Sequence, residues 1–320
     1  VDRANMSINT LGGNWTIGRQ DASWGNKFLA YGASVDRIKA TYKAADLTFG
    51  GYLQKDVEGL GVMGDGDSDT WGAFLVGKAG DVSYGLLLNY LKYDGQNQTF
   101  AQGDGTFLTL EKGDTGYLID PFVTAKIGPA TVLGELLYLG GDKIKKANFD
   151  KSPIGGFVAA AVDVAPVTVK GLVAYYKNNN GAGVGVAGRD CDNDFAPSLL
   201  IGTCNETAII DFGGTTNSQG DAAHADDFTY LVGAGVDFKP MDKLTLGGLV
   251  GYLMATDTGG YCTAVNCEES ASLIEVDLTA AYELAQNATY SFGIAYGDVD
   301  KFSAKDDALW VVGNRVEVKW

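Results

Sequence analysis

The sequence predicts an all-β fold, a transmembrane antiparallel β-barrel of 16 strands, with 18 as the alternative count. Three observations carry this. Hydrophobic residues make up 46% of the 320-residue chain, yet they alternate with small or polar residues instead of recurring at helical spacing. The alternating stretches run about 10 to 15 residues, longer than soluble strands and long enough to cross hydrocarbon at a tilt. Short and long connections follow one another in turn.

Composition excludes several classes. The 45 Gly have no three-residue period, which excludes collagen. With 46% hydrophobic and 20% charged residues the chain is not disordered. No apolar run reaches about 18 residues, so no transmembrane helix is expected. A β-solenoid would need a fixed short repeat, and none is present. A net charge of −16 argues against duplex nucleic acid as a partner. No basic, apolar leader opens at Val1, so any targeting segment is expected to lie upstream or to have been removed.

The first predicted strand, 3–11, places Arg3, Asn5, Ser7 and Asn9 against Ala4, Met6 and Ile8. Further strands are expected at 14–20, 34–43, 46–56, 70–78, 81–94, 115–127, 130–141, 153–165 and 167–178. In 227–239, Phe228, Tyr230, Val232, Ala234, Val236 and Phe238 oppose Thr229, Gly233, Gly235, Asp237 and Lys239. After 243–256 comes 271–285, with Ile274, Val276 and Leu278 against Glu275, Asp277 and Thr279. The strand 288–300 sets Tyr290, Phe292 and Ile294 against Thr289, Ser291 and Gly293, and 307–320 sets Trp310, Val312 and Val316 against Arg315, Glu317 and Lys319. One face suits lipid. The other is too polar and too small to fill a core, and suits water. A sheet in hydrocarbon must close, or its edges would leave unpaired backbone groups.

The short connections, such as Gly128-Pro129 and Gln286-Asn287, are expected on the periplasmic side and the long ones, near 21–33, 57–69, 95–114 and 179–226, outside. Fifteen predicted strands leave the first starting on the long-loop side, so an even barrel needs one more. We therefore expect 1–320 to be a single barrel domain lacking one or more N-terminal strands.

The C-terminal Val316-Glu317-Val318-Lys319-Trp320 alternates and ends on an aromatic residue. In this the chain resembles Gram-negative outer-membrane porins. Trp15-Thr16-Ile17-Gly18-Arg19-Gln20, Ser23-Trp24-Gly25 and Val35-Asp36-Arg37-Ile38 resemble a strand-loop-strand unit of larger substrate-type porins, including alginate-export-like barrels. The resemblance implies a bacterial outer-membrane location, contact with lipid and lipopolysaccharide, and, by analogy, a homotrimer.

Parity assigns the lumen. Arg3, Arg19, Arg37, Lys39 and Arg315 are expected to form a basic wall, and Asp120, Glu135, Asp237, Glu275, Asp277 and Glu317 an acidic one. Opposed charges would orient dipolar solutes and tune ion selectivity; simple solvation of the lumen is the alternative. The loop 179–226 holds seven carboxylates against Arg189, and an acidic vestibule favours cations. Its apolar run Phe195, Leu199, Leu200 and Ile201 is expected to fold over or into the pore, with Phe28 and Tyr31 as a second constriction. Packing above the barrel or between subunits is the alternative.

Cys191 and Cys204 share one long loop and Cys262 and Cys267 another. Pairing within each loop is favoured at an oxidising surface, with a cross-link between loops as the alternative. The cysteine spacings and the single His224 do not suit a metal site. Asp65, Asp67 and Asp69 alternate like part of a Ca²⁺ loop but lack its closing Glu, so a solvated acidic loop is the better reading and no cofactor is expected.

The function expected is passive diffusion of small hydrophilic solutes or ions. One alternative is a barrel sheathing a partner such as an electron-transfer protein. Another is an outer-membrane hydrolase, which a lone His between acidic residues supports poorly.

Overall fold

The computed structural model describes residues 4–21, 24–26, 34–57, 68–93, 98–101, 107–110, 113–141, 154–177, 230–256, 270–300 and 308–319. Every regular element among them is a strand. In chain order these are β1 (Ala4–Thr10), β2 (Gly13–Asp21), β3 (Ser34–Ala44), β4 (Leu47–Val57), β5 (Ser68–Ala79), β6 (Val82–Tyr93), β7 (Gln98–Ala101), β8 (Phe107–Leu110) and β9 (Thr115–Ile127). They continue with β10 (Ala130–Gly140), β11 (Ile154–Val164), β12 (Val167–Lys177), β13 (Tyr230–Met241), β14 (Leu244–Thr256), β15 (Ser270–Ala285), β16 (Ala288–Asp300) and β17 (Leu309–Val318).

Fifteen strands pair antiparallel in one sheet, in chain order. These are the fifteen predicted stretches, with ends displaced by three residues at most. The sixteenth is not among the described residues. One departure concerns 95–114, expected as plain loop: β7 and β8 form a separate hairpin there, pairing Phe100 with Leu108. Four residues per strand are too few to show a period. Among the described residues, two-residue turns join β1 to β2, β3 to β4, β5 to β6, β9 to β10, β11 to β12, β13 to β14 and β15 to β16. At the first, Leu11 and Gly12 both take positive φ, as a tight hairpin matched to strand twist requires.

The chain divides into two compact units. One comprises Val1–Ala125, Gly134–Gly156 and Lys177–Asn180; the other comprises Lys126–Leu133, Phe157–Tyr176 and Gly181–Trp320. Each shows burial inverted relative to a soluble sheet. In the second unit, Ile274, Val276 and Leu278 of β15 are exposed, Leu278 to 60%, while Glu275 and Asp277 between them are 0% and 3% exposed. On β16, Tyr290 and Phe292 are exposed and Gly293 is buried. In the first unit, Ile119 and Val123 of β9 are exposed, and Leu118 and Asp120 are buried. Soluble proteins seldom expose contiguous apolar surface on this scale. Hydrocarbon outside the sheet accounts for it.

The polar face is not uniformly wet. In the second unit Leu231, Leu253 and Leu273 stand in register across β13, β14 and β15, and all are almost fully buried. Ala174 of β12 continues the row beside Leu231. One level away, Glu275 sits between Gly251 and Gly297 on its neighbouring strands.

Leu278→Arg places a cation on the apolar face. It is expected to destabilise the fold by about 2–4 kcal/mol if the residue lies near the bilayer midplane. Thr279→Arg, one residue on and facing the other way, is expected to cost clearly less. Urea unfolding in lipid vesicles measures both; equal losses would contradict the facial assignment.

Candidate functional site

The polar face of the first unit carries a connected set of side-chain interactions. Alternation on β3 puts Arg37, Lys39, Thr41 and Lys43 on this face. The Arg37 guanidinium lies 5.0 Å from the centroid of the Tyr52 ring, and the Lys39 ammonium 5.1 Å from that of Phe74. Arg37 also donates to the backbone carbonyl of Asp21. Tyr52 donates to Asn89 Oδ1 at 2.6 Å, carrying the network from β4 to β6. Phe74 and Phe122 lie over Gly50 and Gly85, their directly opposed partners. Any larger residue at those glycines would displace the ring.

A cavity of about 840 Å³ opens on the same face, lined among others by Asn9, Asn14, Thr16, Gln20, Lys39 and Lys43. Among the described residues the polar side chains of the lining are amides, hydroxyls and two ammonium groups.

Between β2 and β3, residues 24–26 dock on β9 and β10 as a short strap. The Trp24 indole N–H donates to the Asp120 carbonyl at 3.2 Å. Its ring meets Phe122 and Phe74 edge-on, with centroids at 5.4 and 6.4 Å. The Asn26 backbone N–H donates to Glu135 Oε2 at 2.5 Å. The Asn26 side-chain amide donates to the carbonyls of Gly134 at 2.9 Å and Val123 at 3.1 Å, while Thr124 Oγ1 donates to Asn26 Oδ1 at 2.8 Å. Gly25 takes φ +54, and a Cβ there would stand 2.6 Å from Glu135 Oε2. Both the left-handed backbone and the missing side chain are therefore required.

Beneath the strap lie two acidic side chains. Asp120 is 0% exposed and Glu135 1%. They interact with each other, and the Trp24 indole bears on the Asp120 side chain.

No family model and no curated protein matches the chain. Among solved structures, OccD3 (OpdP) of Pseudomonas aeruginosa aligns over 99% of this chain and 78% of its own length, at 11% identity and a TM-score of 0.57. The outer membrane protein OprD of the same organism aligns over 98% and 77%, at 12% identity and a TM-score of 0.52. The fold is that of outer-membrane β-barrels. The polar face of the barrel is its lumen side, and the apolar face its lipid side.

Of the residues expected in the basic wall, Arg37 and Lys39 stand on the lumen side as described. Arg315 shares the parity of Gly313, away from exposed Trp310, Val312 and Val316. Arg19 does not join them. It pairs with Asp36 at 3.2 Å, on the face of exposed Ile17 and Ile38, whose register it shares. Alternation runs unbroken through Gly18, and at the strand end a cation can stand on the outer face in water.

The acidic residues separate into two kinds. Asp120, Glu135, Glu275 and Asp277 are buried rather than bathed by solvent. Asp237 is ion-paired with Lys170 at 2.5 Å, and exposed Glu317 lies 3.8 Å from Lys319. Asp69 belongs to β5 rather than a loop and bridges to Lys55 at 3.6 Å. Arg3, Phe28, Tyr31, Asp65, Asp67, Phe195, Leu199, Leu200, Ile201, Cys191, Cys204, Cys262 and Cys267 lie outside the described residues. Sequence reasoning missed the contacts of Trp24 and Asn26. Its one signal was Ser23-Trp24-Gly25, an aromatic-glycine pair inside a polar connection.

Gly25→Ala is expected to undock the strap while leaving the sheet intact. With 5-fluorotryptophan incorporated and Trp24 assigned through Trp24→Phe, the Trp24 ¹⁹F resonance should shift to its solvent-exposed position. An unchanged resonance would show that the strap tolerates a Cβ.

Proposed function

We propose that the chain forms a single barrel domain in the bacterial outer membrane and acts as a channel for passive diffusion of small hydrophilic solutes or ions. The observation that carries this is the inversion of burial, with apolar side chains outward and a polar face that holds an open cavity lined by amides, hydroxyls and lysines. The fold shared with OccD3 and OprD supports it. No bond need be made or broken: the lumen supplies a wet path, its charges filter, and a segment folded onto the inner wall narrows it.

In this reading the Trp24–Asn26 strap is part of the constriction, and Phe28 and Tyr31 extend it. Arg37, Lys39 and Lys43 form a cationic lumen wall. Asp120 and Glu135 contribute little to filtering, because the strap covers them. The acidic loop 179–226 would act at the mouth, enriching cations before they meet the basic wall. Cys191–Cys204 and Cys262–Cys267 bridges would stiffen the two outer loops. Lipopolysaccharide contact and a homotrimer complete the proposal.

Single-channel recording in planar bilayers tests the channel, with discrete conductance steps expected from the purified protein. A silent, closed barrel would overturn the proposal. In a salt gradient, Lys39→Glu and Lys43→Glu are each expected to move the reversal potential toward cation preference. An unmoved potential would remove those side chains from the conducting path.

A further inference from the structure

The outer face of the first unit changes chemistry within one level of the sheet. Register aligns Ile17, Ile38, Leu53, Trp71, Tyr90 and Tyr117 across β2 to β6 and β9, and all six are exposed. Two residues further toward the long connections, β2 to β6 align Arg19, Asp36, Lys55, Asp69 and Lys92. The sign of charge alternates at every step. Arg19 reaches Asp36 at 3.2 Å and Lys55 reaches Asp69 at 3.6 Å. The row ends on neutral residues, with Ala4 of β1 beside Arg19 and Thr115 of β9 beside Lys92.

A step of two residues moves about 6.6 Å along a strand. Hydrocarbon must give way to a polar phase within that step, because charge is costly on a lipid-facing wall and aromatic rings collect at the interface. From the apolar row down to the short turns, the outward positions of β1 to β6 carry no charge among the described residues. Meeting water does not by itself call for this row. Thr115 takes the same level with a hydroxyl, and exposed ion pairs stabilise a sheet little. The second unit differs. On β14 to β16 the outward charges among the described residues are Asp298 and Asp300, both carboxylates, opposite Ile274 and Ser272.

We infer that the row from Arg19 to Lys92 is a docking site for the phosphate groups of lipopolysaccharide, with Arg19, Lys55 and Lys92 as the contacts. The inference rests on the outer-membrane reading above, in which the long connections face outward, and it names the part of the chain that holds this lipid. The two adjoining rows select the occupant. A phosphorylated amphiphile lays its acyl chains on Leu53, Trp71 and Tyr90 and brings its phosphates level with the cations directly above. The three cations recur at every second strand, about 10 Å apart, so they meet separate phosphates on a flat headgroup. Asp36 and Asp69 hold the cations beside them along the row and themselves oppose a phosphate.

The test is native mass spectrometry of the full chain in detergent micelles, with divalent cations chelated. The probes are the bisphosphorylated glycolipid anchor of lipopolysaccharide and the same anchor with its phosphates removed. The first is expected to bind more tightly, and Arg19→Gln, Lys55→Gln and Lys92→Gln are each expected to weaken it about fivefold. Asp36→Asn and Asp69→Asn break the same ion pairs but keep the cations, so their binding should equal or exceed that of the wild type. Weakening in these two that matches Arg19→Gln and Lys55→Gln would mark the row as structural and overturn the inference. Equal binding of both anchors would overturn it too. So would displacement of the anchor by an equal concentration of inorganic phosphate, the mark of a free-anion site. A barrel that is silent in bilayers yet binds the phosphorylated anchor through the three cations would sink the channel reading alone. A conducting barrel whose three Gln variants bind like the wild type would sink the docking site alone.

Discussion

Inside hydrocarbon no water is available to a backbone N–H or C=O, so each must be paired by the chain itself. A strand satisfies half of its groups on each side, and a neighbour is needed on both. That constraint leaves the two faces free to take opposite chemistries, and the sequence uses the freedom. Apolar residues are spent on the outside, where Leu278 and Val276 meet lipid. The inside is left to glycine, hydroxyls, amides and charge. Burial in this protein is consequently a property of the lumen, and the deepest side chains include Glu275 and Asp120 beside Leu253 and Leu231.

The same constraint explains the use of aromatic residues and glycine together. Two neighbouring strands carry large side chains at the same level only if one yields space. Phe122 over Gly85 and Phe74 over Gly50 resolve this by laying a ring across a bare backbone. The rings then form a platform on the inner wall. Lys39 and Trp24 both contact Phe74, so the strap docks against a surface that the sheet has already ordered. A disordered wall would have made the same docking cost far more conformational entropy.

Strand identity was legible in the sequence because the lipid-facing signal is local and periodic. Ile274, Val276 and Leu278 alternate with Glu275, Asp277 and Thr279 whatever the rest of the chain does. Arg19 was grouped with the inner charges by its chemistry, although strict alternation through Gly18 puts it beside Ile17 on the outer face. Wetness of the lumen was not legible either. Parity puts Asp120 and Glu135 on the inner face, but it cannot say that a segment about a hundred residues upstream will cover them. The strap is a tertiary contact made by Trp24 and Asn26, and its residues carry no repeat. The hairpin of β7 and β8 escaped because four residues per strand are too few to show a period.

The strap is held mainly by neutral interactions. Asn26 spreads its amide over two carbonyls of adjacent strands and accepts from Thr124, and Trp24 adds one donor and two ring contacts. Each is worth on the order of 1 kcal/mol net. Gly25 is what lets these contacts act together, because at φ +54 and against Glu135 only a residue without a Cβ fits between Trp24 and Asn26.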